Sequence, residues 1–126
     1  MQYFDHERLD VYKVAIQWVL LSEKIALQLP RGRAYLVDQL QGAGTSIPFN
    51  IAEGAGEYAQ HEKNRFYRIA KRSTTECAGI LDVCYQLQLL EEPFFQEGRQ
   101  LLLRIVAMLT KLIRKNNDIV SCADSG

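Results

Sequence analysis

The 126-residue sequence predicts an all-α fold, an antiparallel up-down-up-down four-helix bundle with a kinked second helix. Three observations carry this. Apolar residues recur at three- and four-residue spacing over four long stretches, no stretch alternates with the period of a strand, and short Pro- or Gly-containing breaks separate the stretches. Long helices joined by short connections fold back on their neighbours.

Helix 1 is predicted over Leu9 to Leu29, with Pro30 and Gly32 ending it. Tyr12, Ala15, Ile16, Val19, Ala26 and Leu27 form one stripe, read as the inward face. At 100° per residue, Val14, Trp18, Leu21 and Ile25 form a second stripe on nearly the opposite side. A lone bundle has no use for two apolar sides, so this second stripe is the predicted oligomer interface.

Helix 2 starts near Arg33, carries Leu36, Leu40, Ile47 and Ile51 on one line, and ends at the glycines Gly54 and Gly56. Pro48 lies inside it. Proline removes a hydrogen bond and crowds the carbonyl four residues back, so a kink or a break is expected between Gly44 and Pro48. Helix 3 runs from Gln60–Glu62 to about Leu90, with Phe66, Ile69, Ala70, Ser73, Cys77, Ile80, Leu81, Cys84 and Leu87 along its apolar side. Glu91-Glu92-Pro93 interrupts the chain before helix 4, predicted from about Phe94 to Asn117 with Leu101, Leu102, Ile105, Met108, Leu109, Leu112 and Ile113 buried. Residues 1–120 thus form one bundle domain and residues 121–126 a frayed tail.

Fifteen basic and fifteen acidic residues cancel, so no net field attracts a polyanion and any nucleic-acid binding must come from local clustering. The charged opening MQYFDHERLD is unlike a signal peptide, and no apolar run approaches the length of a membrane span, which predicts a cytoplasmic protein. Three cysteines, with Cys77 and Cys84 seven residues apart on one helix, are read as reduced core side chains.

No catalytic residues are predicted, and no metal or cofactor. A di-iron bundle needs paired Glu-x-x-His motifs, and none exists. The three cysteines lack zinc-ligand spacing, and the two histidines, His6 and His61, give a nucleophile little to work with. Gly42-Ala43-Gly44-Thr45-Ser46 superficially looks like a phosphate loop, but it has no lysine and follows a helix.

Two patterns remain. Gln39, Ser46, Asn50 and Glu53 project from one narrow face of helix 2, and Ser73 and Glu76 of helix 3 are placed to meet them. This polar seam is either a ligand site or a hydrogen-bonded contact between the helices, and the second reading is the stronger. Gly42 and Ala43 flank it and would permit close backbone approach. The other pattern is basic. Lys63, Arg65, Arg68, Lys71 and Arg72 form a block without an acid, and Arg104, Lys111, Arg114 and Lys115 lie on the outer side of helix 4. Such stripes neutralise phosphates, though solvated helix faces look the same, and Arg72 could simply pair with Glu76.

Asp38-Gln39-Leu40, then Thr45-Ser46-Ile47-Pro48-Phe49-Asn50-Ile51-Ala52-Glu53-Gly54, then Arg65-Phe66-Tyr67-Arg68-Ile69-Ala70-Lys71-Arg72-Ser73 and Glu76, resemble the four-helix bundle family encoded within 23S ribosomal RNA intervening sequences. The likeness covers roughly residues 4 to 90, and helix 4 matches only in character. It implies a ring-forming bundle, typically a homopentamer, without known enzymatic activity. Related bundles are accessory proteins of diversity-generating retroelements, where they bind a reverse transcriptase and nucleic acid. Two departures stand out: Gln41-Gly42 replace a common pair of arginines, and Arg72 replaces a glycine before the helix 3 serine. The first removes cations near the seam, and the second adds one to helix 3.

The resulting expectation is a non-catalytic homo-oligomeric bundle, a binding or scaffold module for RNA or an RNA-processing partner. The alternatives are a ligand-binding or enzymatic bundle using the seam, and a protein-interaction adaptor such as a reverse-transcriptase accessory subunit.

Overall fold

The structure, a computed structural model, describes the backbone of residues 2–125 and the side chains of residues 2–122. After a short 3-10 turn at Asp5–Arg8, four helices follow: α1 (Asp10–Gln28), α2 (Ala34–Gly56), α3 (Gln60–Gln86) and α4 (Glu92–Ser125). No strand occurs among the described residues.

The punctuation acts where the sequence places it. Leu29, just before Pro30, is extended (φ −72°, ψ 134°), because the proline ring crowds the helical conformation of the preceding residue. At the start of α4, Pro93 sits in the first turn, where its missing N–H costs no helical bond. Pro48, in contrast, lies inside α2, which continues unbroken from Ala34 to Gly56; the break allowed for at Gly44–Pro48 does not occur. Helix α4 runs on to Ser125, beyond the predicted end at Asn117, so that helix covers most of the predicted tail; Gly126 lies outside the described residues.

The four helices stand in a ring: α1 packs on α2 and α4, and α3 packs on α2 and α4, while α1 and α3, like α2 and α4, lie across the core from each other. Contacts pair Glu23 with Gln41 and Trp18 with Gly44 between α1 and α2. Ala55 pairs with Lys63 and Ser46 with Ser73 between α2 and α3, and Asn64 with Asn117 between α3 and α4. One core fills the centre, built from α1 (Val14, Trp18, Ile25), α2 (Leu40, Ile47, Ile51), α3 (Cys77, Leu81, Cys84) and α4 (Leu102, Ile105, Leu109).

The structure corrects the reading of α1. Val14, Trp18, Leu21 and Ile25, the predicted oligomer interface, are covered by the chain's own helices, with Trp18 and Ile25 at 0% exposure. Among the residues first read as inward, Ile16 and Leu27 are exposed. Periodicity identifies two stripes without saying which faces in. The indole decides it: Trp18 is the largest buried side chain, and its room comes from two glycines opposite it. A Cβ on Gly44 would lie 3.3 Å from Trp18 Nε1, and one on Gly98 would lie 3.2 Å from Trp18 Cζ3 and 2.8 Å from Leu81 Cδ1. Close approach therefore happens at Gly44 and not at Gly42, where a Cβ would meet nothing within 4 Å.

Candidate functional site

The polar seam closes on itself. Ser46 Oγ and Ser73 Oγ are 2.8 Å apart, while Asn50 Nδ2 donates to the Ser46 carbonyl at 2.8 Å and to Ser46 Oγ at 3.0 Å. All three are half-buried, and each uses its polar atoms on the others, as a contact between helices requires. Gln39, Glu53 and Glu76 do not join them: all three are exposed. The helical register of α2 does survive Pro48, but the residues it aligns make a serine–serine–asparagine clasp and leave no set of converging groups.

A second polar contact went unread in the sequence. Asn64, 1% exposed, donates through Nδ2 to the Ile113 carbonyl (3.1 Å) and to Asn117 Oδ1 (3.0 Å), and accepts at Oδ1 from Asn116 Nδ2 (2.9 Å). Asn64 lies outside the apolar stripe of α3 because that helix is turned toward α4, which also buries Tyr67 and Thr74. Tyr67 packs so closely on α2 that a Cβ at Gly54 would sit 2.7 Å from its ring. Burial, with Asp5 adding to it, raises the Tyr67 phenol above its usual range. Burial likewise pushes the Cys77 thiol up to about 12, outweighing a downward pull from the Trp18 indole. Indole Nε1 is itself buried without a hydrogen-bond partner.

The basic block divides by role. Lys63 is half-buried, and its Nζ donates to the carbonyls of Ala55 (3.0 Å) and Gly54 (3.5 Å), the negative end of α2. It is therefore a helix-end partner. Arg65 forms an ion pair with Glu62 (3.3 Å) and lays its guanidinium 4.4 Å over the Phe66 ring. Arg68, Lys71 and Arg72 line a shallow groove with Thr75 on the outer face of α3. The Arg72–Glu76 pair does not form; Arg65–Glu62 is the only ion pair among the described residues. On α4, Arg104, Lys111, Arg114 and Lys115 are all exposed, and none of them lines the α3 groove. The α4 side chains that line the junction with α3 include Phe95, Arg99, Leu102, Leu103 and Val106. At 100° per residue, Arg104, Lys111 and Lys115 fall on the other flank, toward α1.

The outer α3–α4 junction holds a partly enclosed, mostly apolar cavity of about 170 Å³. It contains none of the residues predicted as site residues. No cluster of three or more His, Cys, Asp or Glu among the described residues could hold a metal ion. No helix there is long and apolar enough to cross a membrane.

The sequence pattern of the 23S rRNA-intervening sequence protein family matches residues 7–111, most of the chain and three of its helices in full. The chain belongs to that family. Its match spans the seam, the Asn64 side of the α3–α4 clasp and the basic face of α3, and ends within α4 at Lys111. No curated protein matches the chain. For a 23S rRNA-intervening sequence protein, then, the fold's own geometry has to supply the functional reading.

Proposed function

We propose that this protein is a non-catalytic, cytosolic, self-assembling bundle, a homopentameric ring that serves as a scaffold and takes RNA on its basic faces. One observation carries the assembly: the outer face of α1 exposes Ile16, Leu20 and Leu27, at 38%, 62% and 87%, along a single line. Contiguous apolar surface at helical spacing is costly to leave in water and fits burial against protein. Family membership supports the same reading. Size exclusion with light scattering at micromolar concentration tests it: a five-chain mass is expected, and a monomer overturns it.

The RNA part rests on the α3 groove, where Arg68, Lys71 and Arg72 form no ion pair or side-chain hydrogen bond within the described chain and remain available to phosphate oxygens. Retention of structured RNA at low salt, lost steeply as salt rises, is the expected result; a salt-insensitive signal or none overturns it.

The seam offers little support to a ligand-binding or enzymatic role, since its inner members satisfy one another. The paired contacts 23–41, 55–63 and 64–117 support an antiparallel up-down-up-down course for the chain. The Thr45 hydroxyl, donating to the Gln41 carbonyl at 2.9 Å one turn back, supports a bend in α2 near Pro48.

A further inference from the structure

Where α2 gives way to α3, the 3-10 turn, both of those helices and α4 border an open cleft of about 500 Å³. That is within the roughly 300–1,000 Å³ typical of small-molecule sites, whereas the α3–α4 cavity is smaller than that. Leu9 and Leu112 give the cleft an apolar wall.

Two polar side chains that line it are more than nine-tenths buried, Tyr67 at 3% exposure and Asn116 at 8%. The Tyr67 hydroxyl makes no hydrogen bond among the described residues. Unlike Trp18 Nε1, it is not sealed from outside, so a ligand in the cleft can supply the partner that a buried phenol normally has. Asn116 spends its amide on Asn64 Oδ1 and leaves its own Oδ1 without a donor from the described chain.

The charge around these oxygens is unbalanced. The carboxylates of Asp5 and Glu57 line the cleft, and neither has an ion-pair partner among the described residues. Lys63 is the one base in the lining, and its ammonium already sits on the Ala55 and Gly54 carboxyl-end carbonyls of α2. Two acids against one base leave the cleft one positive charge short of neutrality. Asp5 also bears on the Tyr67 phenol strongly enough to help raise it, so acid and hydroxyl address the same space. An anion would meet both carboxylates and find no base that is not already engaged.

We propose that this cleft binds a small primary amine with a short apolar stem. The Asp5 carboxylate holds the ammonium group, which donates to the oxygens of Tyr67 and Asn116, while the stem lies against Leu9 and Leu112. The site is complete within one copy and is independent of the self-assembly and RNA readings.

Calorimetric titration of nucleic-acid-free protein with butylamine at neutral pH and low salt tests this, with butyrate and 1-butanol as controls that keep a short stem without the ammonium. Saturable binding of butylamine is expected, with both controls weaker by at least about tenfold. Tyr67→Phe keeps the ring against Gly54 and removes only the hydroxyl, and should weaken butylamine by about tenfold. Asp5→Asn, at an exposed position outside the core, should weaken it by about three- to fivefold. Melting curves establish that each variant is folded, and Asp5→Asn decides the matter if Tyr67→Phe is not. No saturable butylamine signal below about 10 mM overturns the inference, as does equal binding of butyrate. So does a butylamine affinity that the folded variants leave unchanged.

Discussion

The outward faces of α1 and α3 meet the same solvent and are made of opposite materials. On α1 the outer line is Ile16, Leu20 and Leu27; on α3 it is Arg65, Arg68 and Arg72. Their inward faces are alike, mostly apolar and covered, so the bundle itself makes the same demand of both helices. What differs is what each offers outside. An apolar line gains from losing water and favours a protein partner, whereas a basic line gains from displacing counterions and favours a polyanion. A bundle with one face of each kind can hold its own copies on one side and present charge on another.

The contrast breaks most severely at Trp18. Trp18→Glu places a carboxylate in the fully buried centre, at a cost above about 4 kcal/mol, so the variant should be unfolded by circular dichroism at room temperature. Leu20→Glu, on the other side of the same helix, should change stability by no more than about 0.5 kcal/mol. If Trp18→Glu melted like wild type, the assignment of the inward face would be wrong.

On α3 the inward face is probed from across the interface. Gly54→Ala drives a methyl group against the Tyr67 ring and to 3.0 Å from the Lys63 carbonyl, which should destabilise by about 1–3 kcal/mol in denaturant titration. An unchanged midpoint would mean that α2 and α3 lie further apart than described. Asn64→Ala strands the buried Asn116 amide and takes the donor from Asn117 Oδ1, and should cost about 1–3 kcal/mol.

Titration of Cys77 gives a smaller, pH-dependent effect. Its folded-state value, about 12, lies above the ordinary 9.0, so its contribution to stability is complete below about pH 9 and is lost as pH rises toward 12. Cys77→Ala should remove that part of the alkaline decline in Tm; an unchanged decline would mean that the thiol is not buried. At pH 8 a thiol reagent should modify exposed Cys122 quickly and the buried Cys77 and Cys84 only on unfolding.

The outer face of α3 is sharpened last. Replacing Arg65, Arg68 and Arg72 with glutamine should leave the melting curve in place. It should also flatten the dependence of RNA affinity on salt, by about 0.7 in log–log slope for each phosphate of a single-stranded RNA that is no longer neutralised. An unchanged slope would remove α3 from the RNA surface.

The helical repeat in the sequence was enough to locate all four helices, and α2 was readable almost residue by residue: Leu36, Leu40, Ile47 and Ile51 are all buried where one line predicts them. On α1 the same method inverted the faces. Both stripes are apolar, and the cue that separates them, a large indole opposite Gly44 and Gly98, lies on other helices. The seam was legible in part. Ser46, Asn50 and Ser73 meet because α2 keeps its register through Pro48, but Gln39 and Glu53 lie further along that face, where they stay exposed, and Glu76 is turned outward on α3. The clasp at Asn64 was invisible for a different reason. Its partners are 49 to 53 residues away along the chain, and local periodicity scores buried asparagines as surface.

That clasp also fixes where the last helix points. Asn64 grips α4 through Ile113, Asn116 and Asn117, and the helix then continues to Ser125. The final two turns are therefore a continuation of a helix whose base is held, not a tether. A fluorophore attached near that end would ride on a helix clamped at its base, and should tumble with the whole bundle.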